Sequence, residues 1–211
     1  MRVVKSPFWP IHLVTAARRC KVPPLMALKA TIHKASLDIS DIDRNVYTDH
    51  NLTLARHPSE TDERLMIRLL AFALNAPSNN DQGSLEFGKD MWEPDEACLW
   101  QRDLTGLVVH WIEVGQPDEK RISRLCSRSA RVTLYSFSSS TPTWWTGIAS
   151  KLTRLRNLTV WQVPAAQSQQ LAAMCKRSMS LQITLQDGAL WVGDGTESVE
   201  VTLQNLQGGP A

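Results

Sequence analysis

The chain has 211 residues, of which 43% are hydrophobic and 21% charged, and its formal net charge at pH 7 is +2. This composition is typical of a globular domain and excludes a chain that is disordered throughout. The longest apolar runs are far shorter than the roughly 18 residues that a membrane-spanning helix needs, so we expect no membrane insertion. The 4 cysteines are widely scattered without a metal-binding pattern, which indicates reduced thiols and a cytoplasmic protein.

The first 25 residues differ from the rest, because they contain five Lys/Arg and no acid and end in Pro23-Pro24 just before Met26. This segment fits a non-native extension from an upstream start codon, a basic disordered tail or a targeting peptide. Without it the chain has 18 bases and 21 acids, a net charge of −3. We therefore expect residues 1–25 to lie outside a single domain spanning residues 26–211, and the overall basicity is no argument for nucleic-acid binding.

The first elements predicted are a β-hairpin and a helix. Alternating residues in 28–38 and 46–55 favour two strands joined by a turn at 41–45. In the next segment Pro58 ends the strand, Ser59 is the predicted N-cap and Asp62 the third helical residue. Glu60 and Arg64 lie one turn apart at the start of this helix, where an ion pair would stabilise it by about 0.5 kcal/mol.

The rest of the chain alternates between extended and helical patterns. A loop over residues 76–83 leads to a short extended piece, a hairpin and a helix that opens at Pro117-Asp118. A βαβα order and a three-strand meander follow, which together predict a mixed sheet with parallel members and helices on its faces. The predicted strands are 85–88, 97–102, 107–114, 131–137, 158–163, 179–186, 189–192 and 199–203, and the helices are 118–129, 142–152 and 164–177.

Glu113 is the candidate on which the functional prediction depends. It ends an apolar strand, and a buried carboxylate is costly unless a metal ion or a cation pairs with it. If Asp103 faces Leu107 across the hairpin turn, Asp95 lies diagonally beside Glu113, and if the turn is tighter by one residue, Glu96 faces it directly. Either register places an acid next to Glu113.

Two converging carboxylates supply the hard oxygen ligands that Mg²⁺ or Mn²⁺ prefers. Such a metal lowers the pKa of a bound water and neutralises charge on a phosphate. Gln116, Lys120, Arg121 and the following helix N-terminus form a candidate phosphate cradle. The alternative for these acids is that they are solvated or form salt bridges with residues such as Lys120.

Five blocks of sequence are distinctive, namely MALKATIHKA from Met26, LTLARHPSETDERLMIRLLAFAL from Leu52, DLTGLVVHWIEVGQPDEKRI from Asp103, NLTVWQV from Asn157 and LQITLQDGALWV from Leu181. Together they resemble the YaeQ family of bacterial proteins. The resemblance implies a variant of the PD-(D/E)XK nuclease fold, with a mixed sheet flanked by helices. It also implies a metal-binding Asp on one strand and a Glu-X-Lys motif on the next.

Carried onto this chain, the second motif falls on residues 113–116 and the assisting helical acid on Glu60. The first motif matches Pro94-Asp95 by its letters. Aligned on Trp100 instead, the Glu-Pro-Asp-Leu-Trp of family members falls on Glu96-Ala97-Cys98-Leu99-Trp100. This chain thus departs from the pattern at Cys98, and at Gly115, where the nucleases have a Lys.

These observations lead to two hypotheses. In the first, the protein is a Mg²⁺-dependent phosphodiesterase of nuclease type, with Glu113 and either Asp95 or Glu96 as metal ligands. Glu60 would act through the metal-bound water, while Gln116 and Lys120 would position the water and the phosphate. In the second, it is a catalytically inactive module of the same fold that binds nucleic acid or a protein partner.

Overall fold

The computed structural model describes residues 29–209, so the predicted extension at residues 1–25 lies outside the described part. The chain order begins with β1 (Thr31–Asp41), β2 (Val46–Arg56), α1 (Asp62–Asn75), β3 (Leu85–Phe87), β4 (Leu99–Arg102), β5 (Val108–Val114) and α2 (Glu119–Arg128). It continues with β6 (Arg131–Ser136), α3 (Thr141–Leu152), β7 (Leu158–Gln162), α4 (Ala165–Ala173), β8 (Ser178–Gln186), β9 (Ala189–Gly193), β10 (Ser198–Val201) and β11 (Gln204–Gln207). A 3₁₀ turn at Asp90–Trp92 precedes β4.

The strands divide between two mixed sheets. The first sheet has the order β10-β9-β8-β1-β2, and the second has the order β11-β7-β6-β5-β4-β3. β5, β6 and β7 are parallel, because α2 and α3 supply the crossovers that parallel neighbours require. The predicted mixed α/β class is confirmed, and so are the N-terminal hairpin and the C-terminal meander.

Helix α1 is the centre of the molecule. Its residues 65–73 are all buried, so the helix has no solvent-facing stripe over two and a half turns. One core joins α1 and α4 to the inner faces of both sheets, and a second core lies between the other face of the second sheet and helices α2 and α3. This second arrangement presents the outer surface of α2 to solvent.

The start of α1 differs from the prediction. Thr61 is the N-cap, and its hydroxyl accepts a hydrogen bond from the Arg64 backbone N–H at 3.1 Å. Ser59 lies outside the helix, because the chain first makes a turn in which the Glu60 N–H donates to the His57 carbonyl at 2.9 Å. Glu60 therefore precedes the cap, and it is buried.

Two later elements also differ from the predicted bounds. α4 ends at Ala173, four residues before its predicted end, because the chain turns there and the Arg177 carbonyl accepts from the Lys34 N–H in β1. The strand predicted over 199–203 ends at Val201, and β11 then pairs with β7 in the other sheet. Among residues 29–209, no helix is long and apolar enough to cross a membrane.

Candidate functional site

Glu113 lies at the end of β5 with 6% of its surface exposed. Its Oε1 accepts hydrogen bonds from Arg121 Nη2 at 2.8 Å and Nε at 3.1 Å, and its Oε2 accepts from Trp111 Nε1 at 2.9 Å. Burial raises the pKa of this carboxyl, although the Trp111 hydrogen bond and the Arg121 charge oppose the change. The cation that pairs with this buried acid is thus Arg121.

The register of β4 and β5 follows neither predicted alternative. Asp103 does face Leu107 across the turn, with its N–H donating to the Leu107 carbonyl at 2.9 Å. A β-bulge then follows, because Arg102 pairs with Val108 while Gln101 pairs with His110, which leaves Val109 without a partner. The extra residue shifts the three pairs beyond the bulge by one position, from Gln101 opposite His110 to Leu99 opposite Ile112.

Continuing this register by one residue places Cys98 beside Glu113. Cys98 is fully buried, and burial raises the pKa of its thiol, an effect to which the charges of Asp90 and Glu113 add. The thiol is therefore neutral at pH 7. It is one of three free cysteines in the described residues, with Cys126 and Cys175.

Glu60 is the second buried acid of the site, with 3% of its surface exposed. Its carboxylate accepts hydrogen bonds from Arg64 Nη1 at 2.9 Å and from Arg68 Nη1 at 2.9 and 3.1 Å. The predicted pair with Arg64 is present. Arg68, one turn further along the helix, was missed, although an arginine within the apolar run LMIRLLAFAL signals a buried ion pair.

Asp90 is the third buried acid, and sequence reasoning missed it because its segment has no periodic pattern. It has φ of 49°, a left-handed conformation that Asp tolerates better than most residues. Its Oδ2 lies 2.7 Å from Arg64 Nη2. Its charge also contributes to the raised pKa of Glu113, after the larger effect of burial.

Together these residues form a buried ionic cluster of three acids and three arginines, namely Glu60, Asp90, Glu113, Arg64, Arg68 and Arg121. When all six are ionised their charges cancel. Arg64 joins the parts, because its Nη2 also donates to the Val114 carbonyl at 3.3 Å. A cavity of about 240 Å³ borders the cluster at Glu60, Arg68 and Asp90.

The predicted metal ligands Asp95 and Glu96 lie outside this ionic cluster. The Asp95 side chain is 84% exposed, and its nearest cation is Arg124 at 3.7 Å. Glu96 accepts from the Lys89 backbone N–H at 2.9 Å and lies 3.6 Å from Lys89 Nζ. Within residues 29–209, no group of three or more His, Cys, Asp or Glu side chains is arranged to hold a metal ion.

Three other positions of the predicted site, Gln116, Lys120 and Gly115, lie in different environments. Gln116 donates to Ser136 and Thr141 and accepts from the Ser140 hydroxyl at 2.9 Å, so its amide joins β5 to the β6–α3 loop. Lys120 is exposed on α2. Gly115 has φ of 123°, and a lysine at this position would be strained.

The fold and the ionic cluster define a mixed α/β protein with two sheets, built around a buried helix whose arginines neutralise buried acids. The family model described as "YaeQ protein" matches residues 26–203, and the chain belongs to the YaeQ family.

Its relatives include "Uncharacterized protein YaeQ" of Escherichia coli (strain K12), 43% identical over 184 residues that cover 86% of this chain and 98% of the relative. The crystal structure of YaeQ protein from Xanthomonas axonopodis pv. citri superposes with a TM-score of 0.80 at 43% identity, covering 86% of this chain and 100% of the other. For YaeQ protein from Pseudomonas syringae the TM-score is 0.79 at 36% identity, with 85% and 97% covered.

Replacing Glu60 by Gln should lower the free energy of unfolding by about 3 kcal/mol, because it leaves the buried Arg68 guanidinium without its acid. Urea denaturation followed by circular dichroism measures this change. Asp62→Asn is the matched control, since the Arg56–Asp62 pair is partly exposed and should be worth less than about 1 kcal/mol. Equal effects of the two substitutions would contradict a structural role for Glu60.

The raised pKa of Glu113 predicts a pH dependence of stability. Because folding raises this pKa above its ordinary value of 4.5, the folded state binds the proton more tightly than the unfolded state. The stabilisation from Glu113 is thus full below pH 4.5 and is lost as the pH rises through the folded-state pKa. The unfolding free energy of the wild type, relative to that of Glu113→Gln, should therefore fall as the pH rises above 4.5. A flat or rising difference would contradict burial as the dominant effect.

Proposed function

We propose that this protein binds nucleic acid through a basic helix surface and does not hydrolyse it. The observation that carries this proposal is a stripe of cations on α2. Lys120, Arg124 and Arg128 follow one another at intervals of four residues, so they lie on one face of the helix, and all three are exposed. We call these three residues the α2 basic stripe.

The α2 basic stripe is available for a polyanion. Arg124 has a loose contact with the exposed Asp95, while Lys120 and Arg128 form no ion pair with any residue from 29 to 209. The stripe spans about 12 Å of helix, enough to contact two or more phosphates along a strand. Arg154 and Arg156, which follow α3, are exposed as well, and α3 packs against α2.

Charge is distributed unevenly along the chain in a way that favours this surface. Residues 118–156, which run from the N-cap of α2 to just beyond α3, contain eight Lys/Arg and two Asp/Glu. Residues 29–117 contain eight Lys/Arg and fifteen Asp/Glu. Of these eight, Arg121 pairs with Glu113, Lys151 pairs with Glu119, and Arg131 lies on the opposite face of the second sheet. The basic surface is therefore formed by the other five, namely Lys120, Arg124, Arg128, Arg154 and Arg156, and a local basic surface is the electrostatic feature that phosphate contacts require.

The aromatic side chains support a sequence-independent mode of binding. Trp144 donates from Nε1 to the Pro117 carbonyl at 3.0 Å, Trp100 packs edge-on against Trp111, and Trp92 packs against His57. Because these rings already have partners, we assign affinity to the cations rather than to stacking on bases.

The Mg²⁺ or Mn²⁺ implied by the nuclease-like resemblance does not fit the residues present. The buried acids Glu60 and Glu113 are already hydrogen-bonded to arginines, and a divalent cation would add two positive charges to a neutral cluster. When the chain is aligned on Trp100, the family's metal-binding Asp falls on Cys98, whose neutral thiol is a poor ligand for a hard cation. In the alternative alignment it falls on Asp95, whose side chain is 84% exposed and lies outside the ionic cluster. The arginine-neutralised cluster supports a structural role in place of a hydrolytic one.

Binding to nucleic acid should depend on the α2 basic stripe. The triple variant Lys120→Gln, Arg124→Gln, Arg128→Gln should weaken binding to a labelled 20-nucleotide duplex. It should also reduce the slope of log K against log salt by about 2 to 3, because three phosphate contacts are lost. Fluorescence anisotropy between about 20 and 200 mM salt measures both, with single-stranded DNA and RNA in parallel.

Lys34→Gln is the control for this experiment, since Lys34 is exposed on β1 in the other sheet. An equal loss of binding in the control, or an unchanged salt slope in the triple variant, would reject the α2 basic stripe as the binding surface.

The hydrolase hypothesis makes the opposite prediction about metal. We expect calorimetry to show no Mn²⁺ binding to the wild type near millimolar concentrations, and we expect no cleavage of DNA or RNA in Mg²⁺ or Mn²⁺. Metal binding and cleavage that both disappear in Glu113→Ala would favour the hydrolase instead. Cleavage that survives Glu113→Ala would indicate a contaminating nuclease.

A further inference from the structure

A cleft between the two sheets has the properties of a second, separate site. It lies on the face of the second sheet that carries His110, Thr133 and Tyr135, opposite to the face covered by α2 and α3. Its volume is about 370 Å³, within the range of small-molecule sites in proteins. We call it the arginine cleft, because Arg44 and Arg131 lie at its walls.

The two arginines of the arginine cleft have unused hydrogen-bond donors. Arg131 makes one hydrogen bond, from Nη2 to His110 Nδ1 at 3.0 Å, and pairs with no carboxylate in residues 29–209. Arg44 uses Nε to bind Asp41 Oδ2 at 2.5 Å, while its two terminal amino groups have no acceptor in the same range. Both arginines line the same cleft, and burial together with the charge of Arg44 lowers the pKa of Arg131.

The two acids at the cleft equal its two arginines in number, but both carboxylates already accept hydrogen bonds. Asp41 is buried and accepts from both the backbone N–H and the Nε of Arg44. Asp43 accepts from the backbone N–H groups of Asp187 and Gly188 at 2.8 and 2.9 Å. Both carboxylates thus accept hydrogen bonds within the hairpin turns at the end of the first sheet. Arg131 forms no ion pair with an acid among residues 29–209.

Among residues 29–209, the hydrogen bonds of the cleft also leave the buried Thr133 hydroxyl without an acceptor. Arg131 can only donate, so His110 Nδ1 accepts and Nε2 carries the proton. Nε2 then donates to Thr133 Oγ1 at 2.8 Å, and the hydroxyl hydrogen of Thr133 must find another acceptor. This direction requires a neutral imidazole, and burial, aided by the Arg131 charge, lowers the pKa of His110 to about 3.

Tyr135 adds a second donor to the same cleft. Its hydroxyl accepts from Asn75 Nδ2 at 2.8 Å, and its own hydrogen has no acceptor within residues 29–209. Burial raises the pKa of this phenol to about 12, so the hydrogen is retained at neutral pH. The unused groups of Arg44, Arg131, Thr133 and Tyr135 are therefore all donors, and a cluster of donors is complementary to an anion.

We propose that the arginine cleft binds a small organic anion, whose carboxylate or phosphate contacts Arg44 and Arg131 and whose apolar body lies against the hydrophobic wall. That wall is formed by Leu74, Trp161, Leu185 and Leu203. The planar guanidinium groups suit the paired oxygens of either acid, and the hydroxyls of Thr133 and Tyr135 complete its hydrogen bonding. This site is independent of the α2 basic stripe.

Isothermal titration calorimetry of the full chain with benzoate and with phenyl phosphate tests this proposal, and benzyl alcohol serves as the uncharged analogue. At least one anion should bind saturably below about 10 mM, and the alcohol should bind at least about tenfold more weakly. The anion that binds with the lower Kd shows whether the cleft prefers a carboxylate or a phosphate. Arg131→Gln should weaken the anion by about tenfold or more, because charge-assisted hydrogen bonds are lost.

Two further variants make the result specific. Lys34→Gln, at an exposed position of β1 that does not line the cleft, should leave the affinity for the small anion unchanged. Tyr135→Phe should lower the affinity severalfold without unfolding the protein, because Asn75 Nδ2 keeps its bond to the Ala71 carbonyl at 2.7 Å. Equal binding of alcohol and anion, equal affinity in Arg131→Gln, or no saturable binding of either anion below about 10 mM would overturn the proposal.

Discussion

The pairing of Arg68 with Glu60 is the interaction on which the rest of the structure depends. Helix α1 is buried over residues 65–73, and Arg68 is the one charged residue in that stretch. A buried guanidinium requires an acid at hydrogen-bonding distance, since an unpaired charge in the core costs several kcal/mol. Glu60 supplies that acid, because the chain turns just before Thr61 and the Glu60 carboxylate reaches Arg68 inside the helix.

The ionic cluster extends from this pair toward both sheets. Arg64 connects Glu60 to Asp90 and to the carbonyl at the end of β5, where Glu113 and Arg121 form the next pair. A continuous set of ion pairs therefore joins α1, the segment before β4, β5 and α2. Such a network restricts the relative positions of these elements, because moving one of them would leave a buried charge unpaired.

The same arrangement separates the charges by position. The acids Glu60, Asp90 and Glu113 are buried and paired with arginines, one of which is Arg121 of α2. The three cations of the α2 basic stripe are exposed instead. A second group of unused donors lies in the arginine cleft, on the opposite face of the second sheet. Two separate surfaces of the molecule are thus suited to anions, one to an extended polyanion and one to a small molecule.

The sequence alone determined the local features of this protein. Alternation predicted the β1–β2 hairpin, Asp187-Gly188 predicted the tight turn between β8 and β9, and the βαβα order predicted the parallel strands β5 to β7. These features depend on residues that are close together in the chain, so the local sequence pattern is enough to predict them. The pairing of Glu60 with Arg64 was predicted for the same reason.

Only the tertiary structure decided which residues meet at the site. The bulge at Val109 moved the β4–β5 register by one residue and placed Cys98, rather than an acid from 95–96, beside Glu113. Asp90 reaches Arg64 from 26 positions away, and Arg44 approaches Arg131 from 87 positions away. No local sequence pattern predicts such contacts, because they form only when the two sheets pack around α1. The sequence identifies the charged residues, but the tertiary structure determines which of them become neighbours.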